Sequence, residues 1–114
     1  MPERNSLLYL RDMLESIAAI ESFLSGVDRV SFSLDRKTYS ATIRELEIIG
    51  EAAGKVSKDI QNLNPEVPWR LLTDFRNVLA HHYFGVNIDI VWDIIQRKLP
   101  ELKIQITEML TTIK

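Results

Sequence analysis

Arg76-Asn77-Val78-Leu79-Ala80-His81-His82-Tyr83 sets a permanent cation, two imidazoles and a phenol within eight residues. That combination suits work on a phosphate group. An arginine offers a planar fork of donors that matches phosphate oxygens, a histidine gives and takes a proton near neutral pH, and a tyrosine can stack or accept a transferred group. The same residues also have structural readings. Arg76 could pair with Glu51 or Asp74, His81 and His82 could favour the negative end of a helix, and Tyr83 could be an aromatic at the edge of the core. Residue types alone leave both readings open. His81 and His82 diverge by about 100° on a helix, and Asp89 and Asp93 would have to fold back to complete a ligand set, so no metal and no cofactor are expected. Phosphate-binding glycine loops, serine elbows and zinc-finger spacings are absent from the sequence.

Those side chains need a scaffold, and 114 residues suffice for one domain, expected to span 1–114. Apolar residues make up 46% of the chain, enough for an ordinary interior, yet no run approaches the ~18 consecutive apolar residues of a membrane span. Asp12, Glu15 and Glu21 in the first amphipathic stretch do not fit the layout of a signal peptide, so the expected location is cytoplasmic. With no cysteine, disulfides, thiolate metal sites and cysteine nucleophiles are excluded. A net charge of −2 means that any contact with nucleic acid must be local rather than the work of a basic surface field.

Hydrophobic spacing predicts four amphipathic helices and no strand. The first covers Asn5 to Ser25 on a stripe of Leu7, Leu10, Leu14, Ile17, Ala18 and Leu24, and stops near Gly26. After a polar connector from Gly26 to Ser33, a long second helix is expected to carry Tyr39, Ile43, Leu46, Ile49, Ala53, Val56 and Ile60, capped by Ser33 or Asp35. Two prolines between Asn62 and Pro68 end it, and Pro68-Trp69 opens a third helix that runs to His82. Gly85 and Asn87 form a turn into a fourth helix, which Pro100 should kink or split. Short connectors favour antiparallel neighbours, so the expected fold is an all-α, up-and-down antiparallel four-helix bundle. Gly50 and Gly54 inside the second helix each cost about 1 kcal/mol relative to alanine, which calls for close backbone approach or for room beside Arg76.

On the third helix, Leu72, Phe75 and Leu79 form the inward stripe, with Arg76 beside it. His81 points about 140° away from Arg76 if the helix is regular. Either the helix loosens after Ala80, or a two-fold dimer brings Arg76 and His81 of both chains around one cleft. The dimer also supplies two imidazoles, one to act as base and one as acid.

Three blocks in order carry a resemblance over most of the chain. They are Glu45-Leu46-Glu47-Ile48-Ile49-Gly50-Glu51-Ala52-Ala53, Pro65-Glu66-Val67-Pro68-Trp69, and the Arg76 to Tyr83 segment, with Val91-Trp92 and Leu99-Pro100 behind them. Together they resemble the HepT-like branch of the HEPN superfamily, whose Arg-x4-His-x-Tyr signature is matched in full by Arg76, His81 and Tyr83. The resemblance implies a HEPN-like helical homodimer that acts as a metal-independent ribonuclease toxin on RNA, paired with a small MNT-type nucleotidyltransferase antitoxin. It makes Arg76 the residue that neutralises charge building on the phosphate, His81 the proton carrier, and Tyr83 the acceptor of AMP from the partner. Asn77, Glu51 and His82 are implied as supports of that site. Members of such families also serve as dimerisation or docking modules, so a non-catalytic partner of the nucleotidyltransferase is the alternative.

Overall fold

Short polar side chains mark where four of the helices start in a computed structural model that describes residues 2–82 and 87–113, with side chains for 5–81 and 87–112. Helix α1 covers Pro2–Phe23 and is followed by Gly26 at a positive φ of 75°, a conformation that glycine adopts without a Cβ penalty. Helix α3, Arg36–Lys55, starts at the expected cap: the Asp35 carboxylate accepts from the Thr38 amide and hydroxyl. Those bonds, the hydroxyl's first, hold the Asp35 carboxyl below its ordinary pKa. Helix α5 covers Trp69–His82, and Pro68 stands just before it, where its carbonyl accepts from the Leu72 amide.

Two of the expected boundaries are corrected. The connector after Gly26 contains a short helix, α2 at Arg29–Leu34, because Asp28 accepts from the Ser31 amide and Phe32 has somewhere to go. Phe32 is fully buried, with its ring 5.5 Å from Tyr39 and 5.2 Å from Trp92. Burial of that size stabilises by about 1.5–3 kcal/mol. The long second helix, for its part, does not reach Ile60. It ends at Lys55 with Val56 as its C-cap, and Ser57 caps a separate helix α4, Lys58–Leu63, by accepting from the Ile60 amide. The break is tied down from three sides: the Ser57 amide donates to Ser6 Oγ on α1, and the Gln61 side-chain amide donates to the carbonyls of Ala53 and Val56.

Beyond Asn87, whose side chain caps helix α6 at Ile88–Asp93, the chain passes through a π turn at Ile94–Lys98 into helix α7, Leu99–Ile113. The interruption expected at Pro100 is therefore a widened turn rather than a break. A proline ring presses on the carbonyl four residues back, and the Leu99 amide instead reaches the carbonyl five residues back, at Ile94. Gly85, the other half of the expected turn, lies outside the described residues.

Helix α3 is the centre of the bundle, with α1 on one side and α5 on the other, while α7 lies against α1. Every described element is helical, as the sequence predicts. Contacts of Ser6 with Ser57, and of Gly50 and Gly54 with Arg76 and Thr73, show that α1 and α5 both run antiparallel to α3. The core takes Leu10, Ile17, Ile43, Leu46, Ile49, Ala53, Leu79, Leu99, Leu102 and Ile106 from the predicted stripes. Leu72 and Phe75 are only half buried, because they face an apolar groove between α5 and α7 that is also lined by Ile94, Leu99 and Leu102. Among the described residues, no helix is long and apolar enough to cross a membrane.

Candidate functional site

A helix that packs its backbone against another needs a residue without a side chain at the point of contact, and here that residue is Gly50. A Cβ built on Gly50 would stand 2.3 Å from the Cβ of Arg76 and 2.7 Å from the carbonyl oxygen of Leu72. The glycine that the sequence left with two explanations thus serves both, since the close approach of α3 to α5 occurs at Arg76 itself. Gly54, one turn on, faces Thr73, whose methyl would be 3.1 Å from an added Cβ.

Held at this seam, the Arg76 guanidinium reaches Glu51 on α3, with Nη2 3.4 Å from Oε1, and its Nη1 donates to Asn77 Oδ1 at 3.1 Å. Asp74, the other acid considered as its partner, instead lies 3.7 Å from Arg70, one turn back on the same helix. The Arg76 side chain is 35% exposed, so its head remains open to solvent while its stem is covered. Arg76 Nε is buried and makes no hydrogen bond. The donors that an incoming anion could take are the remaining N–H groups of Nη1 and Nη2, and Glu51 and Asn77 restrict how the head swings.

Sequence reasoning missed Arg44. Its Nη1 lies 3.5 Å from the same Glu51 oxygen that Arg76 contacts, and 3.7 Å from Glu47. The signal was available: residues seven apart on a helix, such as Arg44 and Glu51, fall within about 20° of each other. One carboxylate thus stands between two guanidinium groups, and an anion arriving at Arg76 would meet a second cation close by. Glu51→Ala should cost little stability, since partly exposed ion pairs contribute about 0.2–1 kcal/mol. A circular-dichroism melt should show the midpoint within about 5 °C of wild type; a larger drop would mean that Glu51 carries packing rather than the orientation of Arg76.

Helix α5 stays helical through His82, so the alternative in which it loosens after Ala80 does not apply. His81 is exposed. About 140° around the axis from Arg76, it lies on the outer side of α5, one turn beyond Val78, an apolar residue 46% exposed. One chain therefore presents Arg76 at the α3 seam and His81 on the free face, and does not bring them together around a single phosphate. The side chain of His82 and the whole of Tyr83 lie outside the described residues. Among the described residues, no group of three His, Cys, Asp or Glu is placed to hold a metal.

The family model described as "Ribonuclease HepT-like" matches residues 13–109. The chain is 39% identical over its full length to a Methanocaldococcus jannaschii protein named "Putative RNase MJ0127", covering 94% of that protein. It is 42% identical over 95 residues to a Thermococcus cleftensis protein named "Probable ribonuclease HepT", covering 83% of this chain and 86% of that one. No solved structure gives a significant match.

Proposed function

This chain belongs to the HepT-like family, and from that premise we propose that it is a metal-independent endoribonuclease whose site is completed by a second copy of the chain. The observation that carries the reading is the placement of Arg76: a half-open guanidinium, braced by Glu51 and Asn77 and seated against Gly50. Such a group is aimed to stabilise charge that develops on a phosphate. The names of the relatives, one a ribonuclease HepT and the other an RNase, support RNA as the substrate.

In this reaction the ribose 2′-oxygen attacks the adjacent phosphorus, the bond to the 5′-oxygen breaks, and a 2′,3′-cyclic phosphate remains. At a phosphate held by Arg76 of one copy, His81 of the other takes the 2′-hydroxyl proton and, as the imidazolium, hands it to the leaving 5′-oxygen. His82, next to it in sequence, is a supporting residue in this scheme. A dimer is favoured by the outer side of α5, where exposed Val78 leaves apolar surface one turn from His81. We further assign the chain as the toxin of a toxin–antitoxin pair, neutralised by an MNT-type nucleotidyltransferase that transfers AMP to Tyr83. The added bulk and negative charge would repel RNA.

The test is incubation of purified protein with RNA in excess EDTA, with mass spectrometry to establish that Tyr83 is unmodified. Cleavage that leaves 2′,3′-cyclic ends is expected. Absence of cleavage by the unmodified protein would overturn the enzymatic reading and favour a non-catalytic docking module.

A further inference from the structure

The α3–α5 seam does not end at Arg76. Gly50 faces Arg76 and Gly54 faces Thr73, and past the end of α3 Lys58 on α4 and Arg70 on α5 line one open cleft of about 490 Å³. Its floor includes Gly54, where bare backbone keeps the surface low. Lys58 makes no ion pair among the described residues, and the Arg70 side chain is 94% exposed, with Asp74 at 3.7 Å as its weak partner. Neither cation is spent on holding the fold. Their bases are nonetheless fixed: α4 is capped at Ser57 and latched by the Gln61 amide, and the Thr73 hydroxyl is bonded to the carbonyls of Trp69 and Arg70.

Resting on the ribonuclease reading, we propose that this cleft is a second phosphate site for the same RNA strand, in which Lys58 and Arg70 hold a backbone phosphate beyond the one at Arg76. Arg70 and Arg76 are six residues apart on one helix, about 9 Å along its axis at 1.5 Å per residue and about 120° around it, so an extended strand would wrap partly round α5 over about two or three nucleotides to reach both. A chain of net charge −2 has no general basic field with which to hold RNA, so local anchors must supply the affinity. The site reads the backbone and no base, and so sets the direction in which the strand enters rather than its sequence.

The experiment separates binding from cleavage. A fluorescein-labelled octaribonucleotide is titrated by fluorescence anisotropy, in a salt series, into His81→Ala protein with and without Lys58→Ala/Arg70→Ala. The paired substitution should weaken binding by about tenfold and reduce the slope of log affinity against log salt by about 1.4, the share of two contacts to a single strand. A second pair, Lys58→Arg/Arg70→Lys, keeps both charges and should bind within about twofold of its parent. Unchanged affinity and slope in the alanine pair would overturn the proposal, as would an equal loss in the charge-conserving pair, which would point to damaged structure. Failure of wild-type protein to cleave in EDTA would sink the ribonuclease reading by itself, and the anisotropy result would still decide the cleft.

Discussion

Mixing Arg76→Ala and His81→Ala subunits should restore about a quarter of wild-type cleavage, although each variant alone should lose about 100-fold or more. The expectation rests on α5 being a regular helix through His82, which keeps Arg76 and His81 of one chain about 140° apart. If each reacting phosphate uses Arg76 from one copy and His81 from the other, a mixed dimer has one site with both groups and one with neither. Random exchange makes about half of the dimers mixed, each with one of two sites intact. Size-exclusion chromatography with light scattering would establish that the subunits exchange, and cleavage of a labelled RNA would be followed with time. Recovery toward a quarter supports a composite site. Activity that stays at the level of the single variants would mean that both arginines and both histidines act on one phosphate, or that His81 serves its own chain's Arg76.

How much of this was legible in the sequence follows from how local each determinant is. Asp35, Gly26 and the prolines at 65 and 68 act within one turn of themselves, and each marks a boundary where the sequence predicts one. Ser57 was harder, because a capping serine inside an apolar run matters only once Ser6 and Gln61 arrive to satisfy the broken backbone. Phe32 sits in a stretch too short to show a period, and its burial depends on Tyr39 and Trp92 from two other helices. Ile90, Val91, Ile94, Ile95 and Leu99 share helical spacing, yet Ile90 is 54% exposed while Val91, Ile95 and Leu99 are buried, a choice among adjacent apolar residues that spacing alone does not make. Within the site, the types, order and helical phase of Arg76, Asn77 and His81 were readable, while their separation onto a seam and an outer face depended on whether the helix stays regular after Ala80, which packing and not spacing decides. Arg44 shows the opposite failure, a residue in plain periodic register with Glu51 that a search confined to one motif passed over.

Gly50→Ala should lower stability by about 1–3 kcal/mol and, separately, lower cleavage by about tenfold or more. Alanine would be better than glycine in an isolated helix by about 1 kcal/mol, so the sign depends on what the new methyl meets. It meets the Arg76 Cβ at 2.3 Å and the Leu72 carbonyl at 2.7 Å, neither of which is the movable end of a side chain. The helices must therefore part, and the repulsion outweighs the propensity gain. Parting α3 from α5 carries the Arg76 backbone away from Glu51, whose contact at 3.4 Å has no slack. A displacement of about 1 Å at a catalytic group can cost up to about 100-fold in rate, so activity at temperatures well below the melt should fall more than folding does. Gly54→Ala is the matched control: its methyl would press only on the Thr73 methyl at 3.1 Å, where a small shift opposes the propensity gain, and stability should stay within about 1 kcal/mol of wild type. Calorimetric melts and RNA cleavage measured on the two variants side by side would check this. A Gly50→Ala protein that melts and cleaves like wild type would show that the seam yields elsewhere, and that Arg76 is not held by the backbone contact that places it.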